Sequence, residues 1–375
     1  MFLLKFTAKT GIAVEYEGSP EFEVQILVQA EAGTPPDIAG LPQPGLMKSL
    51  AEKGHLKTMW PEIIAQIDRN YSPAWKELAT YNGEVYGIYH RVNAKSFVYY
   101  NKQEFTSRGY SIPKTWDELI ALSDQMKADG IAPWSIGMES GAATGWVGTD
   151  WMEDVMLRTA GADVYDKWIS HDIPFNDPSV LNAMQYVKQI FFTPGYVLGG
   201  ASTMPALNFG DSIRPLFQNP PTAMLHRQGN FIFNWLPDNV KANIDQYVGV
   251  FPLPPIDPNA ASPPIMGGGE QYVVFNDTPE VRKVMEFLAS WDSGRTWASR
   301  GGALFPYKDQ DYSAYATDIE RELAKALVEA SAFRFDASDL MPPEVGNGTF
   351  WTGMVEWVTG KDDRAVLNDI EASWP

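Results

Sequence analysis

Two hydrophobic rhythms alternate along the chain. Helical spacing over 21–32 (EFEVQILVQAEA) stops at GTPPDI and gives way to a short apolar element that ends in the loop LPQPG at 41–45. Between 81 and 101 an Asn82-Gly83 turn separates runs rich in Val, Ile and Tyr, which predicts strands. The next segment, IPKTWDELIALSDQM, reads as a capping box: Thr115 and Glu118 precede a stripe of Trp116, Leu119, Ile120 and Leu122. Further on come a strand within 131–138, a helix over 150–160, and a helix over 179–192 with Pro178 just inside its start. Residues 221–236 are apolar and aromatic, and 246–258 read as a strand entering a Pro-rich linker. QYVVFN at 271–276 predicts a strand. After it, Asp277, Thr278 and Pro279 open a helix striped by Val281, Val284, Met285 and Leu288. A long helix is expected over 315–332, with two more closing the chain. In the last stretch, GTFWTGMVEWVTG at 348–360, Trp351, Met354, Val355 and Val358 fall on one helical face, leaving Phe350 and Trp357 off the stripe.

Strands interspersed with helices of ten to fifteen residues predict a layered α/β architecture with largely parallel sheets. No internal repeat appears, and the 375 residues suit two lobes. Composition narrows the function classes. At 45 % hydrophobic the chain has ample apolar residues for buried cores, and its net charge of −18, with no basic run, argues against a nucleic-acid backbone as partner. Cysteine is absent, which removes thiolate catalysis, disulfides and thiolate metal sites and suits an oxidising compartment. No run reaches the length of a membrane span, and Phe2 to Leu4 is too short for a signal-peptide core. The expectation is a cytoplasmic protein or one whose leader has been lost.

Catalytic motifs are missing: there is no phosphate loop, nucleophile elbow or HExxH, and the four histidines are scattered. No cofactor and no metal are assigned. The glycines at 267–269 precede a strand rather than a helix, so they are no dinucleotide fingerprint. One enzymatic reading survives, a glycosidase acid pair drawn from Asp150, Glu153, Asp154, Glu270 or Asp336; among 47 acidic residues such proximity arises by chance.

A series of segments in order resembles the extracellular solute-binding proteins of ABC transporters, carbohydrate family. They are FTAKTGIAVEYE (6–17), AGTPPDI (32–38), NGEVYGI (82–88), YYNKQEF with IPKTWDELIAL (99–122), NPPTAMLHRQGNFI (219–232), GGGEQYVVF (267–275) and FWTGM through the final ASWP. The blocks GWVGTDWMEDVMLRTAG, MLHRQGNFI and FRFDASDLMP are most similar to the alpha-glucoside-binding branch. The resemblance implies a periplasmic binding protein-like class II fold: two discontinuous α/β lobes with a ligand cleft between them. Lobe one would comprise 1–104 and 266–306, and lobe two 105–265 and 307–375. Family members carry a first strand and a helix start ahead of FTAKTGI; here Met1 falls inside that helix, so that strand is expected to be missing.

A sugar offers hydroxyls at its rim and a weakly polar C–H face, so its site needs flat aromatics and planar polar groups. By the resemblance, lobe one supplies Gln43 from LPQPG, Arg91 and Lys95 as donors, and Gly268, Gly269 and Glu270 beside the hinge. Lobe two supplies Trp146, Asp150 and Trp151, with a helix-capping role for Asp150 equally open, and Arg227, Asn230 and Phe231, where Phe231 or Phe233 must be core. Arg334 and Asp336 form an orienting pair or a structural ion pair, and Phe350 or Trp351 faces the cleft while Trp357 packs inside. The implied function is a monomeric receptor of a carbohydrate importer. It would take a small oligosaccharide, with an alpha-glucoside the expected solute, close around it by hinge motion and deliver it to ABC permease subunits at the outer face of the membrane, in the periplasm or outside the cell. The alternatives are the acid-pair glycosidase and an intracellular sugar-responsive binding protein.

Overall fold

Caps and apolar stripes fix the helices much as the sequence predicts. In the computed structural model, which describes residues 2–257, 263–329 and 333–375, the Thr115 hydroxyl accepts from Glu118 N at 3.2 Å and opens helix Trp116–Ala128. The Glu118 carboxylate reaches back to Lys114 N at 2.7 Å, tying the residue ahead of the cap to the first turn. Trp116, Leu119, Leu122 and Met126 are buried, while Ile120 lies at the edge of the core. Thr278 caps helix Pro279–Leu288 in the same way, and all four residues of its predicted stripe are buried. Helix Phe22–Glu31 matches the first predicted helix. The helix expected over 315–332 is observed as Asp318–Glu329; its expected end at 330–332 lies outside the described residues, as does Pro258 of the Pro-rich stretch.

The chain divides into two compact units, Met1–Asn93 with Gly268–Val328 and Ala94–Gly267 with Glu329–Pro375. These bounds differ from the expected lobes at three places, the smallest being 266–267, which fall in the second unit. Residues 94–104 belong to the second unit because strand Phe97–Asn101 is central in its sheet. Residues 307–328 belong to the first because Tyr307 and Tyr315 are buried there, with Tyr71 5.3 Å and Phe305 6.1 Å from the Tyr307 ring.

In the first unit, strand Ile38–Leu41 runs antiparallel to the 271–274 part of strand Ile265–Val274, Gly40 facing Tyr272, and strand Gly87–Ala94 also pairs with Ile265–Val274. The glycines of GGGEQ therefore lie inside a strand rather than ahead of one. At Gly269 an added Cβ would stand 2.8 Å from the Arg91 carbonyl oxygen, so the close backbone approach requires glycine. Ile26, Leu41, Leu46, Leu50, Val273 and Phe275 form one core cluster of this unit.

The sheet of the second unit runs in the order Ala132–Trp134, Ala223–Gln228, Phe97–Asn101, Val248–Pro252. Only its first pairing is parallel; Tyr99 faces His226 on one side and Val250 on the other, both antiparallel. The expected parallel sheets give way to this mixed order because the central strand receives two later strands that return in the opposite sense, without the crossover that a parallel partner needs. Separately, Phe333–Phe335 runs parallel to 265–267. Helix Trp146–Ala160 packs on the sheet, its Trp151 ring 5.3 Å from Trp134 and 5.6 Å from Phe191 of helix Pro178–Phe191. It is buried on nearly every side from Val147 to Arg158, three acids and an arginine included. Such a helix must satisfy its charges internally.

Candidate solute site

The buried acids of helix Trp146–Ala160 organise a charge network in the second unit. Lys95 lies between strand Gly87–Ala94 and strand Phe97–Asn101, and its Nζ donates to Asp150 at 2.9 Å and to Asp336. Asp150 also lies 3.5 Å from Arg227, which donates to Asp154 at 2.9 Å; Asp154 further accepts from Arg158, four residues on, and from Ser96 Oγ at 2.6 Å. Asp336 accepts from Ser338 Oγ at 3.0 Å, and Ser338 N donates to Glu153 at 3.0 Å. Asn230 Oδ1 accepts from Ala94 N at 2.9 Å.

Electrostatics follow from this packing. Burial acts to raise Asp336, but the Lys95 ammonium overrides it and holds the carboxyl below the usual carboxylate range. Burial pushes Asp150 up to about 7, Lys95 opposing, while burial and then the Asp336 carboxylate hold Glu153 well above its ordinary value. Oxygens of Asp150, Glu153 and Asp336 lie within 4.8 Å of one another, a spacing that a metal could use, but the ammonium of Lys95 already occupies the cation's place against two of them.

An aromatic wall adjoins the network. Lys95 Nζ sits 5.1 Å from the centre of the half-buried Trp146 ring, and Trp146 lies 5.2 Å from Phe209 and 5.9 Å from Phe231. Trp235 continues it, 5.0 Å from Phe209. At Gly210 an added Cβ would meet the Trp235 ring at 2.1 Å, so the absence of a side chain lets the indole lie against backbone. Half-exposed rings beside buried, oriented carboxylates match the apolar-plus-planar demand of a polyhydroxy ligand.

Several expectations need correction. Lys95 and Arg91 are not free donors, because both are committed to carboxylates. Asp150 stands in the second turn of a helix that starts at Trp146, so it caps nothing. Trp151 is core, fully buried among Trp134, Phe191 and the Arg227 guanidinium. Arg334 does not pair with Asp336 but forks onto Asp166 at 2.7 and 2.9 Å, since Asp336 is taken by Lys95. Phe350 is 0 % exposed between Trp168 and Phe175, with Trp357 also inside, as expected. Trp351, by contrast, is buried outside that apolar cluster, and its indole N–H has no hydrogen-bond partner among the described residues. Phe233 is the core member of its pair, 5.3 Å from Tyr99, which leaves Phe231 on the wall.

In the first unit, Arg91 forks onto Glu270 at 2.9 and 2.5 Å and lies 5.0 Å above the Trp297 ring, with Gly269 at its carbonyl and Gly268 next in the strand. Gln43 opens helix Pro44–Glu52 and donates to Glu23 at 3.3 Å. The residues missed from sequence are Phe209, Trp235 and Ser338. The first two stand in or beside turns of 3-10 helix, which have no hydrophobic period to read.

Comparison with known proteins gives the family and the fold. The profile of the bacterial extracellular solute-binding proteins matches residues 1–295. The osmoprotective compounds-binding protein GgtB of Synechocystis sp. is 45 % identical over all of this chain and 88 % of its own length. The alpha-glucosides-binding periplasmic protein AglE of Rhizobium meliloti is 38 % identical over 98 % of this chain and 82 % of its own. Among solved structures, the bacterial solute receptor AcbH, described as preferring β-D-galactopyranose, superposes with a TM-score of 0.87 at 17 % identity, over 99 % of this chain and 93 % of that one. The fold is that of the class II periplasmic sugar-binding proteins, in two lobes. This chain belongs to the bacterial extracellular solute-binding protein family.

Proposed function

We propose that the protein is the receptor of an ABC importer for a small uncharged glycoside, with alpha-glucosides as the leading solute class. The observation that carries this reading is the wall of Trp146, Phe209, Phe231 and Trp235 beside the Lys95-braced carboxylates of Asp150 and Asp336. The rings take the C–H face of a sugar and the carboxylates accept from its hydroxyls. Trp351 adds its indole N–H to the same unit, where Asn230 is held through its Oδ1 by Ala94 N. Arg91, Gly268, Gly269, Glu270 and Gln43 are the contributors proposed from the first unit. The relatives support the solute class: one is named for alpha-glucosides and another for osmoprotective compounds, and uncharged glucosides satisfy both descriptions. A quaternary-ammonium osmoprotectant fits less well, because the face of Trp146 already carries the Lys95 cation.

The receptor acts as a monomer outside the cytoplasmic membrane and docks on permease subunits; it performs no covalent chemistry and binds no nucleic acid. Calorimetric titration with trehalose, maltose, sucrose and methyl alpha-glucoside, followed by chromatography of each mixture, tests this. Saturable binding with intact sugar is the expected result. Hydrolysis would move the acid pair back to a catalytic reading, and no binding by folded protein would overturn the solute class.

A further inference from the structure

Glu153 has no part in the solute contacts proposed above, yet it belongs to the buried carboxylate cluster. It stands one helical turn from Asp150, it accepts Ser338 N at Oε1, and its oxygens come within 4.8 Å of those of Asp336 and Asp150. The other oxygen, Oε2, is buried and has no donor among the described residues. Its charged neighbours, taken element by element, are Asp150 on its own helix, Asp336 before helix Ala337–Leu340, Lys95 between its two strands, and Arg227 on strand Ala223–Gln228; Tyr165 of helix Ala162–Ile169 also faces it. Both cations are committed elsewhere. Lys95 serves Asp150 and Asp336, and Arg227 serves Asp154 and Asp150. A second negative charge at Glu153 would oppose Asp336 in a dry site whose two nearby cations are already paired with other carboxylates, whereas a proton there turns two opposed acceptors into a donor and an acceptor.

Resting on the solute reading above, we propose that Glu153 is a positioning residue: it carries a proton at neutral pH, donates it to Asp336, and so holds Asp336 and Asp150 as the oriented acceptors of the solute. The neutral form of this side chain, rather than its charge, is what the site uses. The raised affinity of Glu153 for its proton agrees with this geometry. Solute affinity should then decline on the alkaline side as the proton is lost and Asp336 is pushed from its place.

Two measurements on the full chain test this. The first needs no solute. Infrared spectra at about pH 8.5 should contain the C=O stretch of a protonated carboxyl in the wild type, and Glu153→Gln should lack it; its absence from the wild type overturns the proposal. The second is calorimetric titration with trehalose and maltose from about pH 6 to 10.5. Wild-type affinity should fall about tenfold across the alkaline limb. Glu153→Leu, which cannot donate, should bind about tenfold more weakly at every pH. Glu153→Gln, a permanent donor, should restore most of the neutral-pH affinity and flatten the limb. A Gln variant that follows the wild-type profile overturns the proposal. Failure of the wild type to bind either sugar would instead overturn the solute reading, with the infrared band still deciding the proton.

Discussion

Trp146 has two tasks that pull in different directions, covering an ammonium and presenting a ring. Lys95 lies against the indole, so the ring screens that buried cation while its half-exposed part stays available for stacking. Trp146→Ala should therefore weaken trehalose or maltose binding by ~1.4–2.8 kcal/mol, roughly ten- to a hundredfold, with little change in melting temperature. The same titration read by calorimetry checks it, and unchanged affinity would remove the ring from the site. A second prediction concerns His226, whose imidazole is buried and whose ring Nδ1 faces the Ser135 carbonyl at 2.8 Å. Burial, with Arg227 adding to it, pushes its pKa down to about 4. A depressed histidine contributes stability above its unfolded value of about 6.5 and loses it as pH falls from there toward the folded value. The wild type should thus lose ground relative to His226→Asn between about pH 6.5 and 4 in thermal melts; parallel curves would refute this. At this scale the sequence was half legible. Asp154 and Arg158 four apart on one helix could be paired by spacing, but which of Phe350 and Trp351 enters the core depended on Trp168 and Phe175, which are remote in sequence.

Helix Trp146–Ala160 shows what an element can hide from pattern reading. Its residues carry no clean amphipathic stripe because it is buried on nearly all sides, and its acids face charges instead of water. By contrast, Trp116–Ala128 and Pro279–Leu288 were legible from their caps and stripes, since each has one dry face and one wet one. The strand order was not legible at all: alternation reports which side of a strand is buried and is silent about which later strand pairs with it. The buried helix makes a stability prediction. Asp154 accepts from Arg158, Arg227 and Ser96, so Asp154→Ala leaves the buried Arg158 guanidinium with backbone carbonyls in place of a carboxylate and Arg227 with Asp150 alone, and should cost about 3–5 kcal/mol. Chemical denaturation should give that loss, and a change below about 1 kcal/mol would mean that the two arginines relax to other acceptors. At the start of the helix, Gly145 has φ 116° and its added Cβ would meet the Trp351 carbonyl oxygen at 2.2 Å. Gly145→Ala should therefore displace the segment that carries Trp351 and lower both stability and solute affinity, as melts and titration would report.

For the whole molecule, the two-lobed class and the family were readable from segments spread along the chain, whereas the unit bounds near 94 and 328 depended on pairings that sequence does not encode locally. The net charge of −18 also acts at this scale. Self-repulsion of so many acids destabilises the folded state, so raising NaCl from about 10 to 300 mM should raise the melting temperature by a few degrees through screening. A flat response would mean that local ion pairs already balance the excess. The backbone passes between the two units three times, after Asn93, after Gly267 and after Val328. A protease that nicks one of these passages leaves two covalent ties in place, so limited digestion should yield fragments that stay associated under native conditions and separate only in denaturant. Neither unit corresponds to a single contiguous gene segment, and dissecting the receptor into halves requires splicing two stretches with a designed linker rather than truncating the chain.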